Sequence, residues 1–478
     1  MNAGDESVLA LGYIAIEWSI RIVMLLVVPF RRSPDAARGW LLLVFFLPVP
    51  AAALYFLIGR PTYPRWRQAR SAEARQLLAE IIRKIEQSPS CCRPKLPENL
   101  TAAVLLIEHL GLFPALADNT IELCADYDGV IDQLVADIDR ARDHVHLLSY
   151  IFADDITGQQ VIDALLRAAE RGVACRVLID ALGSRTWARR ASPRLAAGGV
   201  EVALALPVSF LSWRRTRADL RNHRKIFVID AEIGYIGSQN IVSANLSSGI
   251  VNRELVVRAQ GPIVLALQAV FVADWFVETG SVLNAGPFFP HRDMGGGAVT
   301  QLLPSGPDYP VSGVERLVVA LVHGARHSVI ITTPYFIPDE SLMHALQTAV
   351  LRGVEVRLVV SRALDNLLVN FAQRSYYDEL LRAGVTIDRY RSGLLHAKHI
   401  SIDDDIVMIG SSNIDIRSFV LNAEASLVIY DSSVIAQLRT EQDRNMAESE
   451  RLLPAKWARR PLPLKLAENI ARLVSPLL

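Results

Sequence analysis

The sequence has few cysteines and no excess of charge of either sign. Its four cysteines, Cys91, Cys92, Cys124 and Cys175, show neither the CxxC spacing of a zinc site nor the density of a disulfide-rich secreted domain, so we expect them to be reduced. Fifty basic and fifty acidic side chains give a net charge of zero, which disfavours a nucleic-acid partner. The sequence also lacks a GxxxxGKS phosphate loop, the usual sign of nucleotide binding.

Apolar residues are abundant, and they are concentrated near the amino terminus. They make up 51% of the 478 residues, more than a typical soluble domain carries. A helix over Val8–Val28 would be about 31 Å long, enough to cross the hydrocarbon core of a membrane, and Trp40–Ile58 is free of charge. Glu17 and Arg21 can form an ion pair on one face of the first helix. We predict a transmembrane helix pair within residues 1–60, with two buried core helices as the alternative.

Arginines near these stretches indicate the orientation of the chain in a membrane. Three lie between the stretches and five follow the second, namely Arg31, Arg32 and Arg38, then Arg60, Arg65, Arg67, Arg70 and Arg75. Because basic residues are enriched on the cytoplasmic side, the larger group favours a multi-pass protein with a cytoplasmic carboxyl-terminal body.

The remainder of the chain reads as a linker followed by a duplication. Residues 61–100 hold a predicted basic amphipathic helix (66–87) and a proline-rich linker. Beyond them "SYIFADD" is echoed by "PYFIPDE", and "AAERGVACRVLID" by "AVLRGVEVRLVVS", each a helix running into a β-branched strand. We predict an α/β fold of two homologous lobes, at 101–290 and 291–478, with mixed sheets flanked by helices and pseudo-two-fold symmetry.

One polar pattern occurs once in each lobe. It reads His, any residue, Lys, four residues, Asp, six residues, Gly-Ser, any residue, Asn. The first copy supplies His223, Lys225, Asp230, Ser238 and Asn240, and the second supplies His396, Lys398, Asp403, Ser411 and Asn413. A single copy could be an ordinary exposed strand, but two copies with the same extension indicate a shared chemical task.

Strand geometry places the histidine and lysine of each copy on one face. Side chains alternate along a strand, so His223 and Lys225 project from the same side. A predicted hairpin then returns the chain, where Gly237 permits close backbone approach and Ser238 and Asn240 offer donors to an anion. If the lobes pack about an approximate two-fold axis, one pocket receives two imidazoles, two ammonium groups and these neutral donors.

Such a set suits phosphodiester chemistry without a metal or a cofactor. The lysines and neutral donors would stabilise charge on the non-bridging oxygens, and one imidazole can attack phosphorus while the other transfers protons. Glu254 and Glu424, each at the start of a β-like run in its own lobe, are predicted to hold the ring nitrogen opposite the reacting one. Asp230 and Asp403 belong to the candidate catalytic motif, but we expect them to fix the hairpin turn.

With these residues in view, the chain resembles the phospholipase D superfamily and, more closely, the bacterial cardiolipin synthases. The resemblance covers almost the whole chain and rests on "LYFLIGRP", "NHRKIFVIDAEIGYIGSQNI", "GPIVLALQAVFVADW", "TPYFIP", "LLHAKHISIDDDIVMIGSSNIDIRSF" and "RLVSPLL". The paired motif indicates the phospholipase D superfamily. The apolar amino-terminal pair together with "SNIDIRS" indicates the cardiolipin synthases within that superfamily.

The resemblance implies a reaction and its partners. A phosphatidyl group is held on one motif histidine and passes to phosphatidylglycerol, with release of glycerol. Similarity to the superfamily favours His223 as nucleophile and His396 as acid and base, while the near-symmetry leaves the reverse open. Phosphatidylglycerol and other membrane phospholipids are the implied partners, in the bacterial inner membrane, and the oligomeric state stays open.

Two further segments are predicted to meet a membrane surface. Leu204–Arg221 sets apolar residues, among them Leu206 and Trp213, before three arginines, with a surface loop as the alternative. The tail Leu464–Val474 has the apolar spacing of an amphipathic helix, which could equally pack on the body.

Other functions remain open at this point. A phospholipase D hydrolase would use the same residues with water as acceptor and release phosphatidic acid. A nucleic-acid phosphodiesterase of the same superfamily is disfavoured by the zero net charge and the apolar pair. A lipid-binding scaffold without catalysis is disfavoured because both motif copies are complete.

Overall fold

Helices and strands alternate along the chain after an amino-terminal set of helices. The computed structural model describes residues 3–32, 34–59, 63–207, 219–245, 250–283, 297–309, 313–363 and 366–473. The helices are α1 (Ala3–Val27), α2 (Pro34–Phe46), α3 (Pro48–Ile58), α4 (Arg65–Glu86), α5 (Glu98–Gly111), α6 (Tyr127–Arg140), α7 (Ile156–Glu170), α8 (Arg185–Ala197), α9 (Ile263–Thr279), α10 (Gly313–Gly324), α11 (Glu340–Leu351), α12 (Leu367–Ala383), α13 (Ile416–Val420), α14 (Ser432–Ala447), α15 (Pro454–Ala458) and α16 (Leu462–Leu473). The strands are β1 (Leu116–Cys124), β2 (His144–Ser149), β3 (Ala174–Asp180), β4 (Glu201–Ala205), β5 (Arg221–Asn222), β6 (Ile226–Ile229), β7 (Ile233–Gly237), β8 (Asn252–Arg253), β9 (Val256–Gln260), β10 (Ala298–Ser305), β11 (Ser328–Thr333), β12 (Phe336–Ile337), β13 (Glu355–Ser361), β14 (Thr386–Tyr390), β15 (Leu394–Leu395), β16 (His399–Ile402), β17 (Ile406–Gly410), β18 (Ile414–Asp415), β19 (Asn422–Ile429) and β20 (Ser449–Arg451). The predicted mixed α/β fold is confirmed.

Most strands form one mixed sheet whose order repeats from one half of the chain to the other. From the centre outward, the first half runs β1-β9-β7-β6-β2-β3-β4 and the second half runs β10-β19-β17-β16-β11-β13-β14. The central strands β1 and β10 pair antiparallel, with Leu116 opposite Thr300. Each of these strands therefore has a counterpart at the matching position in the other half, as an approximate two-fold axis at the sheet centre requires, and β20 adds one edge strand beyond β14.

The echoed segments mark the start and the end of equivalent helices. Asp155 and Asp339 cap α7 and α11 by accepting backbone N–H groups of the first turn. Gly172 and Gly353 follow these helices, each with a φ of 87°, a conformation that glycine adopts without steric cost. The chain then enters β3 and β13, which pair parallel to β2 and β11. The echoed segments of each half thus belong to one strand-helix-strand unit, β2-α7-β3 in the first half and β11-α11-β13 in the second.

The amphipathic helix predicted after the apolar stretches forms as α4 and packs on α9. Its apolar face places Leu78, Ile81 and Ile85 in the central core. Near its beginning, the buried Arg67 forms an ion pair of 2.6 Å with Glu278 of α9. Apolar burial at one end and a buried ion pair at the other therefore fasten α4 to the body.

The amino-terminal apolar stretches form three helices, because the second stretch is interrupted. Pro48 begins α3 directly after the end of α2, so two short helices replace the single predicted span. Met24, Trp40 and Tyr55 lie in one apolar cluster that joins α1, α2 and α3. The predicted pairing of Glu17 with Arg21 is present at 3.2 Å.

The outer surface of these three helices is strongly apolar. Trp18, Leu25, Phe45 and Phe56 are each more than half exposed there. Contiguous apolar surface of this kind marks a site of contact with a membrane or another protein. Within the described ranges, no helix combines the length and the apolar character needed to cross a membrane, so the predicted transmembrane pair is not confirmed.

Membrane contact was also predicted for two other segments, and it stays a prediction. Leu206 is fully buried against Tyr63, and residues 208–218 of the same segment lie outside the described residues. The tail forms α16, which packs on α12 and leaves Leu466 and Ile470 of its apolar face exposed. Packing on the body and an outward apolar face therefore coexist in this helix.

Candidate active site

A cleft in the body receives both motif histidines. Its volume is about 420 Å³, and His223 and His396 line it together with Asn240 and Asn413. Further lining side chains include Tyr150, Tyr335, Arg221 and Arg417. The structure thus brings together the two imidazoles that the sequence placed in different lobes.

Short parallel strand pairs between the two halves position these histidines. β5 pairs with the start of β19, and the backbone N–H of His223 donates to the carbonyl of Ala423 at 2.8 Å. In the same way β15 pairs with β8, and the N–H of His396 donates to the carbonyl of Arg253 at 2.8 Å. Each histidine is therefore fixed beside the residue that precedes the glutamate of the other half.

The two glutamates hold the histidines across the halves of the chain. Nδ1 of His223 donates to both carboxylate oxygens of Glu424 at 3.0 Å, and Nδ1 of His396 donates to Oε1 of Glu254 at 2.7 Å. Each glutamate was predicted to bind the histidine of its own lobe. In the structure each glutamate binds the histidine of the other lobe. Because a carboxylate only accepts, the ring proton lies on Nδ1, and Nε2 is the nitrogen left for chemistry.

Burial governs the protonation of these groups. It lowers the pKa of His223 to about 4, although the negative charge of Glu424 acts in the opposite direction. Burial would raise the pKa of Glu254, but the charge and hydrogen bond of His396 lower that pKa to about 2. At neutral pH the cleft therefore holds a neutral His223 and an ionised Glu254.

The two motif serines contact Glu424 and the backbone in this structure, and their contact with phosphate stays a prediction. Ser411 Oγ donates to Glu424 at 2.5 Å, and Ser238 Oγ donates to the carbonyl of Leu255 at 3.1 Å. Both hydroxyls are fully buried. The preceding Gly237 allows this, because a Cβ there would lie 2.5 Å from the Leu255 carbonyl oxygen.

The motif asparagines, unlike the serines, reach the cleft. Asn240 and Asn413 both line it, and their role as neutral donors to an anion stays a prediction. The Oδ1 atom of Asn240 accepts the backbone N–H of Ile151 at 3.1 Å, which orients the amide. The orientation leaves the amide NH₂ of Asn240 as the donor for a ligand.

Both motif lysines are buried close to their histidines. Lys225 Nζ donates to the carbonyl of His223 at 2.7 Å, and Lys398 Nζ donates to the carbonyl of His396 at 2.5 Å. Burial lowers the pKa of Lys225 to about 7, opposed by the charge of Glu424 and reinforced by that of Lys398. Each imidazole thus has a buried amine of its own motif beside it.

Asp230 and Asp403 lie at the hairpin turns, as expected, and not in the cleft. Both have positive φ, 53° and 49°. Each carboxylate accepts three successive backbone N–H groups, those of Arg142, Asp143 and His144 for Asp230 and those of Arg326, His327 and Ser328 for Asp403. Their grouping with the catalytic residues is therefore wrong, since they bind backbone that leads into β2 and β11.

Asp403→Ala is expected to destabilise the fold by about 2 to 4 kcal/mol, because it removes a charged acceptor from three backbone donors. Chemical denaturation of the purified variant measures this loss. Asp404→Ala is the matched control, since the side chain of Asp404 is 91% exposed. Equal stability of the two variants would contradict the turn role.

Sequence reasoning missed Arg224, the residue between the motif histidine and lysine. Arg224 lies between β5 and β6, and its Nη1 donates to Asp274 at 2.5 Å while its Nε donates to the carbonyl of Glu424 at 3.0 Å. Asp274 also accepts from Asn222 at 2.9 Å, so one carboxylate holds both neighbours of His223. The alternation of side chains along a strand indicated that Arg224 faces away from His223. The sequence did not indicate its partner, because Asp274 lies in the distant helix α9.

Several histidines and all four cysteines lie outside the paired motif. His144 is buried in the core, whereas His323 and His327 lie at the surface. The four cysteines are free. In the part of the chain that the structure describes, no group of three or more histidine, cysteine or acidic side chains is arranged to hold a metal ion.

Comparison with known proteins gives matches over nearly the whole chain. The family model described as "Cardiolipin synthase, PLD-like domain" matches residues 134–275 and 318–446. Cardiolipin synthase A of Pectobacterium atrosepticum is 34% identical over 94% of each chain, and cardiolipin synthase 1 of Bacillus anthracis is 33% identical over 98% of this chain and 94% of its own. The crystal structure of phosphatidylserine synthase from Haemophilus influenzae matches with a TM-score of 0.62 and 16% identity, covering 80% of this chain and all of that one.

The paired halves, each with its motif histidine in one cleft, define an enzyme of the phospholipase D-like class. The solved structure shows only the likeness of the fold, because its sequence identity is low. The family model and the relatives resolve the class further. The chain belongs to the cardiolipin synthase family of phospholipase D-like proteins.

Proposed function

We propose that this phosphatidyltransferase makes cardiolipin by moving a phosphatidyl group from one phosphatidylglycerol to another, with release of glycerol. The observation that carries the proposal is the pair of imidazoles in one cleft, each held at Nδ1 by a buried glutamate. The curated relatives named cardiolipin synthase extend over almost all of the chain. Exchange of one phosphodiester for another needs no nucleotide and no redox cofactor.

In the first step, Nε2 of His223 attacks the phosphorus of one phosphatidylglycerol. A bond forms between phosphorus and nitrogen, the bond from phosphorus to the glycerol oxygen breaks, and His396 gives its Nε2 proton to that oxygen. The low pKa of His223 keeps it neutral and nucleophilic. Burial lowers the pKa of His396 as well, but the charge of Glu254 and the 2.7 Å bond to it act in the opposite direction and support His396 as the imidazole that carries the proton.

In the second step, the neutral His396 takes the proton of a terminal hydroxyl of the second phosphatidylglycerol. The hydroxyl oxygen bonds to phosphorus, and the phosphorus–nitrogen bond to His223 breaks. Lys225 and Lys398, with Asn240 and Asn413, would stabilise the charge that develops on the non-bridging oxygens. His223 and His396 then return to their starting protonation states.

The apolar amino-terminal helices would hold this site at the bilayer that contains its substrates. The exposed Trp18, Leu25, Phe45 and Phe56 support contact with the hydrocarbon region. We extend the proposal to a multi-pass protein of the bacterial inner membrane with its catalytic body in the cytoplasm, as the arginine distribution favours. Phospholipids are then the expected partners, and nucleic acid is not.

Purified full-length protein given vesicles of phosphatidylglycerol alone, with a chelator present, is expected to release glycerol and cardiolipin in equal amounts. Mass spectrometry of the lipids and an enzymatic glycerol assay measure both products. A sample carrying His223→Ala together with His396→Ala controls for contaminating activity. Phosphatidic acid as the sole lipid product would favour the hydrolase instead.

A further inference from the structure

One wall of the cleft carries a cation that the transfer steps above do not use. Arg417 follows β18 and lines the cleft with both histidines. Burial raises the pKa of Tyr150, and the positive charge of Arg417 acts against this rise. The ring of Tyr150 lies 4.9 Å from the ring of His223, centroid to centroid. The positive charge of Arg417 therefore acts on a side chain that lies directly beside His223.

The charge of Arg221, which also lines the cleft, is already neutralised. Arg221 is buried and forms an ion pair of 3.1 Å with the buried Asp180. Arg417 is half-buried, and its Nη2 donates to the carbonyl of Asp219 at 3.3 Å. Across the described ranges no carboxylate lies within ion-pair distance of Arg417. Since a guanidinium has five N–H donors, Arg417 can bind an anion in addition to that carbonyl.

The acidic side chain nearest in sequence does not cancel this charge. Asp415 also lines the cleft, and its carboxylate accepts the backbone N–H of Ser418 at 2.7 Å. Burial raises the pKa of Asp415, and its carboxylate is already engaged by the first turn of α13. The wall that carries Arg417 therefore favours an anionic ligand.

The proposed reaction brings two phosphate diesters into one cleft. The phosphate that is transferred meets the histidines, while the acceptor lipid keeps its own phosphate, a glycerol bridge away from the attacking hydroxyl. A second anion beside the first is costly to desolvate unless a cation pairs with it. Water or a neutral alcohol has no such requirement.

We propose that Arg417 binds the phosphate diester of the acceptor lipid and thereby selects an anionic lipid alcohol over water and neutral alcohols. The inference rests on the proposed function, because it concerns the second step of that transfer. While the acceptor hydroxyl bonds to phosphorus and gives its proton to His396, Arg417 holds the acceptor phosphate and takes no part in bond making or breaking. Arg417 is thus a specificity-determining residue.

The test is a competition between two alcohols in one reaction. Wild type and Arg417→Gln receive phosphatidylglycerol vesicles with propane-1,2-diol, and cardiolipin and phosphatidylpropanediol are quantified together. The ratio of cardiolipin to the diol product is expected to fall about 10- to 100-fold in Arg417→Gln, the effect of losing one charge-assisted pair, while the diol product persists. Arg417→Lys keeps the charge without the planar fork and should give an intermediate ratio.

The controls separate the possible failures. Arg194→Gln, on the exposed surface of α8, should keep the wild-type ratio. An unchanged ratio in Arg417→Gln, or an equal loss of both products, would overturn the acceptor site. If Arg417→Gln does not fold, a wild-type ratio in Arg417→Lys overturns it and an intermediate ratio supports it. Wild-type protein that forms the diol product and no cardiolipin would overturn the proposed function itself.

Discussion

Glu424→Gln is expected to lower the rate of cardiolipin formation about 10⁴-fold, the effect of replacing a triad carboxylate by its amide. The amide can offer its NH₂ to Nδ1 of His223, which selects the wrong tautomer and removes the charge that stabilises an imidazolium. Glu254→Gln should cause a loss of similar size through His396. Initial rates of cardiolipin formation from phosphatidylglycerol vesicles measure both effects.

The exchange of glutamates between the halves can be checked on the same variants. The NMR signal of the Nδ1 proton of His223 should move in Glu424→Gln and stay in place in Glu254→Gln, because Glu424 is the glutamate that accepts this proton. Glu122→Gln, at a side chain that is 52% exposed, is the matched control and should keep the wild-type rate. The opposite NMR pattern, or full activity in either cleft variant, would contradict the crossed pairing.

His223→Ala and His396→Ala are each expected to lower turnover of phosphatidylglycerol at least about 10⁴-fold, because one removes the nucleophile and the other removes the proton carrier. Phosphatidyl-p-nitrophenol distinguishes the two roles, since nitrophenolate leaves without a proton. His396→Ala should release one equivalent of nitrophenolate per enzyme in a burst, and His223→Ala should release none. Stopped-flow absorbance measures the burst.

An exposed histidine supplies the control for these variants. His344→Ala, at a side chain that is 66% exposed, should behave as wild type in both assays. A burst in His223→Ala with none in His396→Ala would exchange the two roles. Wild-type turnover in His223→Ala or in His396→Ala would contradict the mechanism in which both histidines act in one site.

The duplicated motif contained enough to predict the α/β fold and the main site residues. Strand alternation placed His223 beside Lys225, and the repetition required one cleft for two imidazoles. The pairing of each histidine with the glutamate of the other half could not be predicted from the sequence. This pairing depends on β5 pairing with β19 and on β15 pairing with β8. Those pairs join segments far apart in the chain, and their local sequences carry no sign of their partners.

The serines show a different limit of sequence reasoning. A hydroxyl next to a glycine at a strand end is typical of a donor to an anionic ligand. In the structure, however, the hydroxyl of Ser411 donates to Glu424. Local pattern cannot tell a ligand contact from support for a catalytic carboxylate, since both require a buried hydroxyl near the site. Arg224 was missed for the same reason, because its partner Asp274 comes from another element.

Hydropathy alone overstated the regularity of the amino-terminal helices. The apolar run Trp40–Ile58 predicts one span kinked at Pro48 and Pro50, yet α2 ends before Pro48 and a separate helix α3 begins there. Composition correctly indicated a large apolar surface, since Phe45 and Phe56 are exposed. Hydropathy measures how apolar a segment is, whereas a proline decides where its helix breaks.

The most direct measurement is the mass of the covalent intermediate. His396→Ala is mixed with phosphatidyl-p-nitrophenol, quenched at alkaline pH to preserve a phosphorus–nitrogen bond, digested and analysed by tandem mass spectrometry. We expect one phosphatidyl group on the peptide that contains His223, and no such adduct on the protein carrying His223→Ala. A nitrophenolate burst with the phosphatidyl group on any other residue, or with no adduct at all, would contradict transfer through His223 in a shared cleft.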